Sequence, residues 1–224
     1  MIDFTRRNIL LNDEEIIKIS NAKVAVFGLG GVGGYTVESL ARIGIKYFVL
    51  VDGDKYEESN LNRQLLSTRK TIGKFKTDVW ESHLNDIDCD INVSTFNLFY
   101  NKDNAHVIDF SNIDLIIDAI DDVDAKVLLI SKAKELNIPI VSMMGAGNRR
   151  ESSFIITDIY KTNSDPLAKK MRQKLRENNI DHLTVVSSTI PPIRTGSLTI
   201  GSISYVVGSA GLKLAEAAIN KLFN

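Results

Sequence analysis

Cysteine is almost absent. The 224-residue chain has one, Cys89, which excludes an internal disulfide and the paired Cys-x-x-Cys sets of a structural zinc site. Charge of a single sign is lacking too: 27 Lys and Arg stand against 28 Asp and Glu, a net charge of −1. The whole chain therefore carries no general mark of a polyanionic partner, although such a sum conceals any local patch. The three histidines, His83, His106 and His182, are scattered, with no metal-ligand spacing and no matching serine motif. There is no internal repeat and no low-complexity tract. Met1-Ile2-Asp3-Phe4 lacks the basic stretch and apolar run of a secretory signal, and with a single cysteine this points to the cytoplasm. The longest late uncharged run, Thr195 to Leu212, is rich in Gly, Ser and Thr and soon meets Lys213 and Glu216. It reads as a strand or loop entering a buried helix of small residues, not as a membrane span.

What is present is an ordinary globular composition, 44% hydrophobic and 25% charged, which excludes disorder, collagen and coiled coil. The length suits one large domain, at roughly 100–200 residues per domain. Asn12 before Asp13-Glu14-Glu15 and Ile16, Ile17 and Ile19 predicts a capped entry helix. Val24-Ala25-Val26-Phe27 then runs into Gly28-Leu29-Gly30-Gly31-Val32-Gly33-Gly34, followed by Val37, Leu40, Ala41 and Ile43 at helical spacing up to Gly44. Tyr47–Val51 is the next strand and ends at Asp52. Further on come a helix from about Lys74 to Ile87, strands at Ile91–Thr95 and Ile113–Asp118, a helix from Val123 to Leu136 and a strand Pro139–Met143. Apolar strands alternating with helices predict an α/β fold, Rossmann-like, with a mainly parallel sheet covered by helices on both faces. After Gly145-Ala146-Gly147 a strand near Phe154–Ile156, a helix beginning at Asp165-Pro166 and a C-terminal helix over about Ser202–Leu222 make a C-terminal extension. The expectation is a single domain over 1–224, with a nucleotide-binding core at 1–145 and an extension at 146–224.

Gly28, Gly30 and Gly33 fit the fingerprint in which backbone N–H groups at a helix N-terminus meet phosphate oxygens. Asp52 stands where a carboxylate accepts ribose hydroxyls. A nicotinamide dehydrogenase needs nothing more, but the next segment argues against one. Asp52-Gly53-Asp54 is followed by Ser59-Asn60-Leu61-Asn62-Arg63-Gln64 and then by Lys76. Hydride transfer has no use for two cations converging on the phosphates, whereas phosphoanhydride chemistry does. Leu115-Ile116-Ile117-Asp118 runs into Ala119-Ile120-Asp121-Asp122-Val123-Asp124 at the carboxyl end of a strand, where carboxylates face a ligand crevice and suit Mg²⁺. Asp121 is the metal candidate; Asp122 and Asp124 are equally suited to capping the next helix.

This constellation resembles the ubiquitin-activating-enzyme-like adenylyltransferases, which include the activators of the bacterial sulfur-carrier proteins for molybdopterin and thiamine. The resemblance covers about residues 4–145. It implies ATP and Mg²⁺, held by Gly28, Gly30, Gly31, Gly33, Asp52, Asp54, Asn60, Arg63, Lys76 and Asp121, with Arg63, Lys76 and Asp121 serving catalysis. It also implies a homodimer in which an arginine near one N-terminus reaches the partner's ATP; in Phe4-Thr5-Arg6-Arg7 the better candidate is Arg6. The motifs Gly145–Asn148, Thr157–Thr162 and Asp165–Arg172, with Val185–Ser188, look like the branch acting on tRNA, the ATP-dependent threonylcarbamoyladenosine dehydratases, although Thr189-Ile190 departs from the Glu of that pattern. That branch closes the threonylcarbamoyl side chain beside the anticodon into a ring with loss of water. Some relatives work with a sulfur-transfer partner protein.

Charge and cysteine support this branch. From Arg149 to Arg176, Arg149, Arg150, Lys161, Lys169, Lys170, Arg172, Lys174 and Arg176 outnumber Glu151, Asp158 and Asp165. Such a stretch suits the phosphate backbone of a tRNA anticodon stem-loop, or else is an ordinary solvated face. On a helix Lys169, Arg172 and Arg176 share one side and Leu167, Met171 and Leu175 the other. Thioester-forming relatives need a cysteine near the adenylate, and many carrier activators bind zinc through four cysteines; neither site can be built here, so no zinc is expected. The alternatives are an adenylyltransferase for the C-terminus of a carrier protein or peptide and, from another class, a nicotinamide dehydrogenase or NAD-sensing module.

Overall fold

The computed structural model of the chain describes residues 2–223. After a single helical turn, α1 (Thr5–Asn8), Asn12 and Glu15 form a reciprocal cap, each side chain accepting the other's backbone N–H at 2.9 Å, and start α2 (Asp13–Asn21). The nucleotide half then runs β1 (Lys23–Phe27), α3 (Gly33–Ile43), β2 (Tyr47–Val51), α4 (Lys76–Ile87), β3 (Asn92–Phe96), β4 (Leu115–Asp118), α5 (Val123–Glu135) and β5 (Ile140–Met143). The extension adds β6 (Phe154–Asp158), α6 (Pro166–Glu177), β7 (Thr184–Ser188) and α7 (Ser204–Phe223).

The seven strands form one sheet in the order β3-β2-β1-β4-β5-β7-β6, parallel except for the antiparallel edge strand β6. The expected mainly parallel sheet is therefore present, and it does not divide at residue 145: β7 pairs directly with β5. Every residue of β4 is buried, as are Val24–Phe27 of β1, which is why these strands read as unbroken apolar runs. One face packs on α2, α3, α4 and α7 through residues such as Ile19, Leu40, Trp80 and Leu214. The other is covered by Tyr100, Phe110 and Leu129 and, beneath β5 and β7, by Met171 and Leu175 of α6. The strand expected from Ile113 begins at Leu115, because residues 110–114 turn and Asp114 accepts the Lys23 N–H at 2.8 Å.

The uncharged late run resolves into a loop and a helix. Gly208 and Gly211 let α7 lie close on α3: a Cβ on Gly211 would stand 2.5 Å from the Val32 carbonyl and 2.8 Å from the Tyr35 Cβ. Thr36 Oγ1 donates to the Gly211 carbonyl at 3.0 Å across the same contact. Among the described residues no helix is long and apolar enough to cross a membrane. The irregular segment 189–203 is tied down by Asn148, whose N–H donates to Gly201 O, whose Oδ1 accepts the Gly201 N–H and whose carbonyl accepts from Ile193, all within 2.7 Å.

Gly211→Ala is expected to cost about 1–3 kcal/mol, the range for forcing a methyl into a packed contact. A lowered urea midpoint with an unchanged slope is the outcome to look for.

Candidate active site

The carboxyl ends of β1, β2 and β4 open into a cleft of about 1250 Å³. Its floor is the glycine loop. Gly28 has φ +91, and a Cβ there would meet the Ala119 carbonyl oxygen at 2.6 Å; a Cβ on Gly33 would stand 1.8 Å from Gly28 O. Both positions exclude any side chain. Gly33 thus serves helix packing and does not itself line the cleft, whereas Gly28, Gly30 and Gly31 do. Among the described residues the N–H groups of Gly30, Gly31 and Val32 have no acceptor. Three unengaged donors at the start of α3 form an anion site.

Asp52 is pinned by its neighbours: Oδ2 accepts the Leu29 N–H at 2.6 Å and Oδ1 the Asp54 N–H at 2.8 Å. Burial raises its pKa, and Lys76 opposes the shift. The Lys76 ammonium, buried at the first residue of α4, lies 2.7 Å from Asp54 Oδ2 and 3.7 Å from Asp52 Oδ1. Asn60 closes a short 3-10 turn by accepting the Glu57 N–H at 3.1 Å. Arg63 Nη1 donates to Ser59 O at 2.7 Å and Asn62 Oδ1 at 3.0 Å, which leaves Nε and Nη2 free to meet an anion. Across the cleft Asp121 is exposed and has no partner among the described residues. The open choice for its neighbours is resolved: Asp122 caps α5 by accepting the Ala125 N–H at 2.8 Å, and Asp124 faces Lys174 at 3.9 Å.

Asp52, Asp54, Asn60, Arg63, Lys76 and Asp121 are all brought to one cleft wall or another. Three further residues belong to it. Gln64 lines the cleft with a buried, unpartnered Oε1. Phe99, 65% exposed, lies across Gly53 at the mouth. Beneath the Asp121 loop, Lys126 and Asp118 form a fully buried ion pair at 2.9 Å. A lysine in the apolar stripe with Leu129, Ile130 and Ala133 was the available signal for that pair.

The basic stretch does not act as a unit. Arg149 is not a surface cation: it is buried, donates to Gly145 O and Ile190 O and pairs with Asp165 at 3.5 Å. It holds the 145–149 turn against the segment after β7, so its expected tRNA contact is corrected to a structural one. Arg172 is half-buried and spends Nη1 on the carbonyl and hydroxyl of Thr162. Arg176 stacks over Tyr160, Lys174 lines the cleft, and Arg150, Lys161, Lys169 and Lys170 are exposed. Arg6 is exposed on α1, without a partner among the described residues and apart from its own cleft, while Arg7 is bound to Ile43 O at 2.7 Å.

The ThiF family model matches residues 5–224. A tRNA threonylcarbamoyladenosine dehydratase of Bacillus subtilis is 35% identical over 192 residues, 85% of this chain and 76% of that protein. A protein of the same name from Escherichia coli is 34% identical over 170 residues, 75% of this chain and 63% of its own length. The crystal structure of the E. coli enzyme TcdA in complex with ATP superposes with a TM-score of 0.92 at 29% identity, covering 98% of this chain and 93% of that one.

Lys76→Met removes the cation facing buried Asp52 and is expected to lower stability at neutral pH by roughly 3 kcal/mol. Because burial raises the Asp52 pKa, its ionisation opposes folding as pH rises from the unfolded to the folded value. The deficit should therefore shrink as pH falls through the folded value and vanish below it; urea unfolding across a pH series that shows a constant deficit would rule Asp52 out as its source.

Proposed function

The chain belongs to the ThiF family, and from that premise we propose that it is an ATP-dependent tRNA threonylcarbamoyladenosine dehydratase. The observation that carries this reading is the cleft itself: free N–H donors, two cations and an unpaired carboxylate face one another at the head of a parallel sheet. The naming of the B. subtilis and E. coli relatives supports the substrate, and the ATP complex of the E. coli enzyme supports the nucleotide.

The phosphates of ATP suit the Gly30–Val32 donors, and Asp52 keeps a lone pair on each oxygen for ribose hydroxyls. One unpaired carboxylate with substrate phosphates and water is a donor set for Mg²⁺, and Asp121 is the carboxylate we assign to it. Mg²⁺ bound there would neutralise charge on the phosphate oxygens. The threonyl carboxylate attacks the α-phosphorus, its oxygen forming the new P–O bond as pyrophosphate leaves. Arg63, through Nε and Nη2, and Lys76, on exchanging Asp54 for phosphate, stabilise the charge that builds on the equatorial and departing oxygens. The ureido nitrogen of the same nucleoside then attacks the acyl carbonyl and gives up its proton to water, AMP departs carrying one former carboxylate oxygen, and the nucleoside has lost the elements of one water. Because nucleophile and acyl group share one side chain, effective molarities of roughly 10⁵–10⁸ M replace a protein nucleophile, in keeping with Cys89 lying exposed on the α4–β3 connection.

Exposed Arg150, Lys161, Lys169, Lys170 and Arg176 are the cations we assign to tRNA phosphates, with Lys174 at the cleft rim. Arg6, free on its own protomer, fits a role in the cleft of a second copy, and we assign the active form to a homodimer.

Incubation with ATP, Mg²⁺ and tRNA carrying threonylcarbamoyladenosine should remove one water from the nucleoside by mass spectrometry; an unchanged nucleoside while ATP binds rejects the substrate. Pyrophosphate exchange stimulated by a carrier-protein C-terminus and indifferent to tRNA would favour carrier activation instead. Arg63→Ala and Asp121→Ala should each lower kcat by about 10²–10³-fold with ATP affinity nearly unchanged, since the groups they lose act on transition-state charge. Lys169→Ala with Lys170→Ala should weaken tRNA binding and flatten its salt dependence by about two phosphate contacts. That double variant should melt like the parent, whereas Arg149→Ala should lower the melting temperature.

A further inference from the structure

Asp118 and Lys126 have no task in the chemistry above, yet both are fully buried at the end of β4 and in the first turns of α5. A buried ion pair is a poor way to stabilise a core, because desolvating both charges cancels most of their attraction and apolar residues of similar volume often do as well. The direction of their remaining hydrogen bonds is what sets this pair apart. Asp118 Oδ1 accepts the N–H of Ile120 at 3.1 Å, and Lys126 Nζ donates to the carbonyl of the same Ile120 at 2.9 Å. Oδ2 of Asp118 takes Lys126 at 2.9 Å and also the Ser142 hydroxyl of β5, which fixes the rotamer of the carboxylate. Both peptide groups of Ile120 are thus held by charged partners, and the next residue is Asp121. On its other side Asp122 is committed to the cap of α5.

We propose that Asp118 and Lys126, locked by Ser142, are positioning residues that clamp the Ile120 peptide and so aim the Asp121 carboxylate at the metal. The proposal rests on the assignment of Asp121 to Mg²⁺ made above. The exposed carboxylate has no side-chain partner among the described residues, so its backbone fixes the point and the Cα–Cβ direction from which it reaches into the cleft. That backbone is gripped at the residue before and the residue after. Ala119, one step further back, donates its N–H to Phe27 O at 2.8 Å, so the clamp transmits the position of β1 and its glycine loop to the carboxylate opposite.

The test uses the full-length protein and the variant Asp118→Asn/Lys126→Met, which removes both charges together and avoids leaving one unpaired in the core. Binding of Mn²⁺ to the protein with ATP is followed by electron paramagnetic resonance, and ATP binding is measured separately in EDTA. Mn²⁺ affinity should fall by about tenfold or more, the range for removing groups that orient a metal ligand, with ATP binding in EDTA within about twofold of the parent. Loss of Mn²⁺ and ATP affinity in equal proportion would mean a merely structural pair and overturn the proposal. Asp121→Asn runs alongside: if it leaves Mn²⁺ affinity intact, the metal assignment fails and the clamp falls with it. If Asp121→Asn weakens Mn²⁺ while the paired variant does not, the positioning role alone is overturned. Should the paired variant not fold, Ser142→Ala keeps the ion pair but frees the Asp118 rotamer. It is expected to weaken Mn²⁺ by about threefold, and unchanged affinity there overturns the proposal.

Discussion

No side chain fits at Gly28, because the Ala119 carbonyl stands 2.6 Å from where its Cβ would be. This close approach brings the turn after β1 against the turn after β4, and the candidate site depends on it. The same turn leaves Gly28 O so near the start of α3 that Gly33 must also lack a side chain. With α3 drawn in, the N–H groups of Gly30, Gly31 and Val32 have no acceptor among the described residues, and the Leu29 N–H reaches Asp52 at the end of β2. Three strand ends are thereby joined by backbone groups and by the Asp52 carboxylate.

Much of this was legible from residue order. The glycine run after an apolar strand, the acid after the next strand and the Asn60–Arg63 motif are local signals, each determined by its own turn or helix start. The placement of Asp121 was legible for the same reason: a carboxylate just past a fully apolar strand has to lie at the sheet's carboxyl edge. Whether Asp122 or Asp124 caps α5 was not, since either side chain can accept a first-turn N–H and the choice depends on where the helix begins. The Asp118–Lys126 pair was hidden more deeply. Asp118 looks like the end of a strand, and Lys126 looks like a surface residue until the stripe of Leu129, Ile130 and Ala133 is laid beside it.

The basic stretch shows the limit of counting charges. Eight cations between Arg149 and Arg176 look alike in sequence, but tertiary contacts sort them. Burial lowers the pKa of Arg149 against the counter-effect of Asp165, a response that belongs to a residue holding two loops together. Arg172 is half spent on Thr162, and Arg176 leans on Tyr160. Partners distant in sequence decide each case, and periodicity along one helix carries no record of them. The shared sheet has a similar origin: residues 146–224 supply β6 and β7 to it and α7 to the core of the first half.

The position of α7 has a consequence for how the protein is made. Its 20 residues follow all seven strands in sequence, and they cover β4, β5 and β7 while seating Gly211 on the carbonyl of Val32 beside the glycine loop. A nascent chain can pair β1, β2 and β4 as they leave the ribosome and lay α2, α3 and α4 on one face, but the part of that face over β4 and β5 stays bare until α7 has been made. Vectorial synthesis thus delays completion of the nucleotide cleft until α7 has emerged, and during that interval the apolar surface of β4 and β5 is open to chaperones and to aggregation.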